Sequence, residues 1–91
     1  MMSKEYNLTI SYNAGLDYGE IQGEVEYVLG YSDGAGFGFG RRDLSYRYNN
    51  KNTLYAAVRK ARRLRRQLKC EAWETVGPDF DYKRVSLKGI R

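Results

Sequence analysis

The chain has 91 residues, a net charge of +5, and 42% apolar and 14% aromatic content, enough for one domain with a modest core and too apolar to stay unfolded by composition. No apolar run approaches the roughly 20 residues of a membrane span, the first residues lack the apolar core of a secretion signal, and the single cysteine, Cys70, excludes an intrachain disulfide. The expectation is a single domain over residues 1–91, cytoplasmic and without a membrane partner.

Tyr6, Leu8, Ile10 and Tyr12 alternate with Asn7, Thr9 and Ser11, the period of a half-buried strand. Residues 13–19 are glycine-containing and polar, which predicts a loop. Ile21, Val25, Tyr27, Leu29 and Tyr31 share one parity, opposite Gln22, Glu24 and Glu26, and predict a second strand. Ser32-Asp33-Gly34 is a tight-turn sequence, so strands one to three are expected as an antiparallel meander. In the third strand Gly34, Gly36, Gly38 and Gly40 share one parity, and Phe37 and Phe39 the other. Past Arg41-Arg42-Asp43 the apolar parity moves to Leu44, Tyr46 and Tyr48, which predicts a bulge.

After a polar turn over residues 48–52, Asn52 or Thr53 is placed to cap a helix over residues 53–69. Leu54, Ala57, Val58, Ala61, Leu64 and Leu68 form its apolar face. Tyr55, Arg59, Arg62, Arg63 and Arg66 form its polar face, which Lys60 and Gln67 widen. Arg65 falls at the apolar margin and is expected to snorkel. A strand over residues 71–76 carries Trp73, most simply a core residue. Gly77-Pro78-Asp79 is a turn, and Val85 and Leu87 anchor a last strand over residues 82–87. The predicted fold is α+β: an antiparallel sheet of four to five strands with one amphipathic helix on one face, in the order β-β-β-α-β-β.

Charge is divided along the chain. Residues 1–40 carry a net −5 and residues 41–91 a net +10, a pattern that suits an electrostatically steered partner. Neutralisation of the basic helix by the acidic strands within the fold is the plainer alternative. Between residues 51 and 69 there are eight bases and no acid. Like charges one helical turn apart repel, and arginine grips phosphate with paired N–H bonds. The candidate contact residues are therefore Arg59, Arg62, Arg63, Arg66, Lys60 and Tyr55, with Arg41, Arg42 and Arg47 beside them. The candidate partner is nucleic acid or a nucleoprotein complex, or else an acidic protein.

Catalysis lacks its usual parts. There is no histidine, Cys70 has no such partner, and Glu71 and Glu74 are three apart on a strand and so on opposite faces. No metal-ligand spacing and no phosphate loop occurs, so no cofactor is expected and the protein is expected not to be an enzyme. Pro78-Asp79-Phe80-Asp81-Tyr82-Lys83 resembles the PD-(D/E)xK nuclease motif, but the parts that family separates are here fused into one turn, which composition assigns to a solvated loop.

Gly36-Phe37-Gly38-Phe39 resembles the centre of the aromatic strand motif of RNA-recognition motifs, whose rings stack on bases. The chain departs from that motif at Ala35, Gly40 and Arg42, and the family's helix between strands one and two is not expected here. Phe37 and Phe39 are therefore read first as core under the helix, and as stacking residues second. In size, lack of catalytic residues and layout, the chain resembles small phage-encoded inhibitors of bacterial defence, such as anti-CRISPR proteins. That resemblance implies a defence effector as partner, with the arginine stripe competing for its nucleic acid. A three-stranded sheet followed by a helix is also similar to integrase arm-binding domains, which implies direct DNA binding. The remaining alternative is a structural subunit that self-associates through its tyrosine-rich sheet.

Overall fold

The computed structural model describes residues 5–13, 15, 18–38, 40–64, 68–76 and 81–90. The elements are β1 (Glu5–Asn13), α1 (Tyr18–Leu29), β2 (Gly34–Gly38), β3 (Arg41–Tyr48), α2 (Lys51–Leu64), β4 (Lys69–Val76) and β5 (Asp81–Val85). The fold is α+β, with a five-stranded antiparallel sheet in the order β2-β3-β1-β4-β5. The first six elements follow the split βαβ order of ferredoxin-like folds, and β5 extends the sheet beyond β4.

Alternation in β1 divides the two faces of the sheet. Tyr6, Leu8, Ile10 and Tyr12 are buried, and their register partners Leu44, Tyr46 and Ala72 are buried with them. Both helices cover this face. Ile21 and Val25 of α1 and Leu54, Ala57, Val58 and Ala61 of α2 join the strands in one apolar core. On the other face Asn7, Thr9 and Ser11 are only half-buried, and no described helix lies over them.

The second predicted strand is a helix. Ile21, Val25 and Leu29 are four apart, a spacing that is even, as a strand face requires, and close to one helical turn. In α1 Ile21 and Val25 are buried, whereas Tyr27 and Tyr31 are 92% and 90% exposed. The expected single helix and three-strand meander are thus replaced by two helices and a β-α-β-β start. Gly30 ends α1 at φ 87°, a left-handed cap that glycine adopts without strain. Its N–H donates to the Glu26 carbonyl at 2.8 Å. The Tyr46 hydroxyl donates to the Gly30 carbonyl at 2.9 Å and ties the cap to β3.

Three local expectations also change. Gly38 pairs with Arg41 and Gly40 has φ 73°, so the parity shift near Arg41 is the turn of a β2–β3 hairpin and not a bulge. The cap of α2 is Asn50, not Asn52 or Thr53: its Oδ1 accepts the Thr53 N–H at 2.9 Å. The described part of α2 ends at Leu64, and Lys69 already begins β4, so the helix does not run to residue 69. The last strand is β5, joined to β4 with Ala72 opposite Val85. The predicted turn over residues 77–79 lies outside the described residues.

Candidate nucleic-acid interface

On α2 the burial of Leu54, Ala57, Val58 and Ala61 turns Arg59, Lys60 and Arg63 outward, and all three are exposed. Arg59 and Arg63 are one turn apart, in line with the half-buried Tyr55. Lys60 borders a groove of 210 Å³ between the helices, with Val28, Leu29, Tyr48, Thr53, Ala56 and Ala57. No hydrogen bond or ion pair holds Arg59, Lys60 or Arg63 among the described residues. Arg62 and Arg63 in the last turn also complement the helix dipole, which accounts for part of their presence but not for Arg59 or Lys60.

Arg62 is exposed like the rest of the expected band but is engaged within the fold. Its Nη1 donates to the carbonyl oxygens of Leu87, at 2.9 Å, and of Ile90. The guanidinium thereby clamps the segment after β5 against α2. Arg66, like Arg65 at the apolar margin, lies outside the described residues.

The three arginines of β3 are all engaged. Arg41 donates to the Asn13 side chain at 3.0 Å. Arg42 donates from Nε and Nη2 to the side-chain Oε1 of Gln22 on α1, at 3.2 and 2.9 Å. Its guanidinium also lies 5.9 Å from the centre of the Phe37 ring, within cation–π range. Arg47 faces Glu5, with Nε 3.8 Å from the carboxylate, and its backbone N–H donates to Asp33 at 2.8 Å. These arginines hold the sheet to its surroundings and do not extend the α2 band.

Among the described residues no acid pairs with Arg59, Lys60 or Arg63 of α2. Glu26 accepts from the Ser32 N–H at 3.2 Å and from Gln22 at 3.3 Å, and Asp33 serves the Arg47 N–H. Glu20 and Glu24 lie on α1, followed along its outer side by Tyr27 and, past the cap, Tyr31. The two tyrosines border a concavity of 390 Å³ with Gly23, Glu26 and Gly30. An acidic, aromatic strip thus lies on the helix layer beside the basic one. Sequence parity concealed it, because a strand would have put these tyrosines on the core face.

The aromatic expectations are corrected as well. Phe37 is not core: it is 59% exposed on the edge strand β2. Phe39 lies outside the described residues. The ground on which the RNA-recognition-motif likeness was weakest, a missing helix, is removed by α1. The motif itself falls on β2, however, whose far-side positions Gly34, Gly36 and Gly38 carry no side chain. The core placement of Trp73 is overturned: it is half-buried on the face away from the helices, opposite Asn7 and Arg84. Asn7, Trp73 and Tyr82 line a shallow concavity of 350 Å³ there.

Other chemistry is sparse. No group of three metal-binding side chains occurs among the described residues, and Asp79, from the nuclease-like turn, lies outside them. Glu71 and Glu74 stand on opposite faces, with Glu74 on the helix side. Burial pushes the Cys70 thiol up, with Arg62 opposing, which disfavours the reactive thiolate. Burial raises Tyr46, with Glu26 adding to it, and raises Tyr48 to about 12, with Asp33 adding. No described helix is long and apolar enough to cross a membrane. Comparison with protein-family models, curated proteins and solved structures finds no match.

Proposed function

We propose that the chain is a non-catalytic binding protein that docks, through the exposed face of α2, on nucleic acid presented within a nucleoprotein complex. The observation that carries this reading is the division of the charges. Glu26 and Asp33 are spent on backbone ties and Glu5 faces Arg47, while Arg59, Lys60 and Arg63 meet no acid among the described residues. Phosphate is the ligand these side chains suit, by charge and, for arginine, by paired N–H donation. The neighbouring Glu20 repels a nucleic-acid backbone, and with the exposed Tyr27 and Tyr31 it suits a basic protein surface. A complex of protein and nucleic acid satisfies both strips. The likeness in build to phage-encoded inhibitors makes a bacterial defence effector one such complex.

The test compares the wild type with an Arg59→Ala, Lys60→Ala, Arg63→Ala variant in salt-dependent binding to labelled DNA and RNA. Loss of three phosphate contacts is expected to weaken binding and to lower the salt slope by about 2–3. An unchanged affinity and slope would sink the reading. Capture from a lysate with and without nuclease then separates a nucleoprotein partner, which holds more tightly than naked strands, from simple DNA or RNA binding.

A further inference from the structure

The sheet face turned away from the helices carries a second arrangement of aromatic and basic groups. The registers place Arg47, Asn7, Trp73 and Arg84 in one row across β3, β1, β4 and β5. Residues directly opposite in a ladder share a face. Tyr82 lies opposite Thr75, hence diagonal to Trp73, and is 66% exposed. The 350 Å³ concavity among Asn7, Trp73 and Tyr82 opens on this row. No described residue bonds the Asn7 amide, which offers two donors and an acceptor.

We infer that this face holds a short single strand of nucleic acid, with a base stacked at Trp73 and Tyr82, its edge on Asn7 and its backbone along Arg84. The inference extends the nucleic-acid reading of α2 to a second surface and rests on it. Aromatic rings beside a basic track are what unpaired strands require: every base offers a π-face, and the charge follows the phosphates. A duplex hides its base faces and does not fit. Continuity supports the same occupant, because Arg84, Lys88 and Arg62 border one 250 Å³ cleft at the β5 edge. That cleft joins the open face to α2, so one strand can pass from Trp73 round the edge to Arg63. The acids on this face, Glu5, Asp43 and Glu71, restrict the phosphates to the β5 side. Glu71 shares the cleft with Arg84 and limits affinity.

Trp73 is the only tryptophan of the chain, so its emission reports this site alone. The experiment titrates oligothymidine and oligouridine of about eight nucleotides, following Trp73 emission and the anisotropy of a labelled strand together, with a duplex of equal length in parallel. Quenching of Trp73 by the single strands and not by the duplex is expected. Tyr82→Ala and Arg84→Ala, both at exposed positions, are expected to weaken single-strand binding about fivefold or more, and Glu71→Gln to tighten it. Quenching that persists in the α2 triple variant supports the sheet site, and an anisotropy affinity and salt slope unchanged in that variant remove the α2 reading. Binding seen by anisotropy with unchanged Trp73 emission overturns the sheet site and leaves α2 standing. No binding by either signal overturns both. A shift in Trp73 emission with protein concentration alone assigns the face to a second copy of the chain and overturns the inference.

Discussion

The two helices lie side by side on one sheet face and bury similar apolar stripes, yet they expose opposite chemistry. α2 turns out Arg59, Lys60 and Arg63; α1 turns out Glu20 and Tyr27. Each is anchored differently. Asn50 caps the start of α2, and Arg62 ties its end to the segment after β5. In α1 the anchor is the C-terminal cap, where Gly30 is held by Tyr46 and Glu26 binds Ser32. The lesson is that a helix's core stripe fixes where it sits, while its outer face is free to carry charge of either sign. A basic and an acidic surface can therefore neighbour each other without pairing; Glu26 bonds Ser32 and Gln22 within its own segment instead.

The strongest way to break this comparison is in the core. Ile21→Ala and Leu54→Ala should each destabilise the domain by about 2–5 kcal/mol in urea denaturation. A loss below about 0.5 kcal/mol for Ile21→Ala, within the range of surface changes, would show that α1 does not share the core. Next comes high pH. Tyr46 and Tyr48 both have raised values in the fold, so below pH 10 the phenols are protonated in folded and unfolded chains alike. Above it the unfolded chain releases protons that the folded chain keeps. Stability should fall from about pH 10 toward the folded value of about 12 for Tyr48. Because the Tyr46 hydroxyl holds the α1 cap, amide exchange should rise at Gly30 before it rises in α2. Simultaneous opening of the two helices would argue against the Tyr46 tie.

Arginine truncations sharpen the contrast within α2. Arg62→Ala removes the donor shared by the Leu87 and Ile90 carbonyls, leaving Leu87 only the Ile90 N–H, and should cost about 1–3 kcal/mol. Arg59→Ala and Arg63→Ala should stay within about 0.5 kcal/mol. Equal effects at all three would place Arg62 back in the outward band. Two glycines of the α1 segment test where that helix ends. Gly30→Ala forces a side chain to φ 87° and should cost about 1 kcal/mol or slightly more. Gly23→Ala meets nothing within 4 Å and should add roughly 0.5–1 kcal/mol. The same sign at both positions would contradict the helix end placed at Leu29.

Much of the sheet was legible because its strands alternate. β1, β3 and β5 show buried residues at the expected parity, whereas β4 buries Ala72 and not Trp73, and Leu54, Ala57, Val58 and Ala61 mark α2 by a spacing that no strand shares. α1 was not legible because Ile21, Val25 and Leu29 satisfy both periods, and the tyrosines and Val28 favour a strand by propensity. The signals that distinguish it are Glu20 in the first turn and Gly30 at the cap, both weak without the fold around them. For the candidate site, the outward exposure of Arg59, Lys60 and Arg63 was legible from charge and spacing. Arg62 was not separable from them, because its acceptors lie 25 and 28 residues away in sequence. Trp73 and Tyr82 were missed as surface because parity within a strand cannot tell which face the helices will cover.

The sequence by itself determined the α+β class, the main core residues of β1 and α2, and a helix whose bases have no acid beside them in the chain. Those properties are local: they follow from alternation, helical spacing and the charges of neighbours. Only the tertiary structure decided that residues 18–29 form a helix, that Arg62 serves the fold, and that Trp73, Tyr82, Asn7 and Arg84 share an open face. Each of these depends on which sheet face is covered and on partners distant in sequence, and burial of one face is settled only when the whole chain packs.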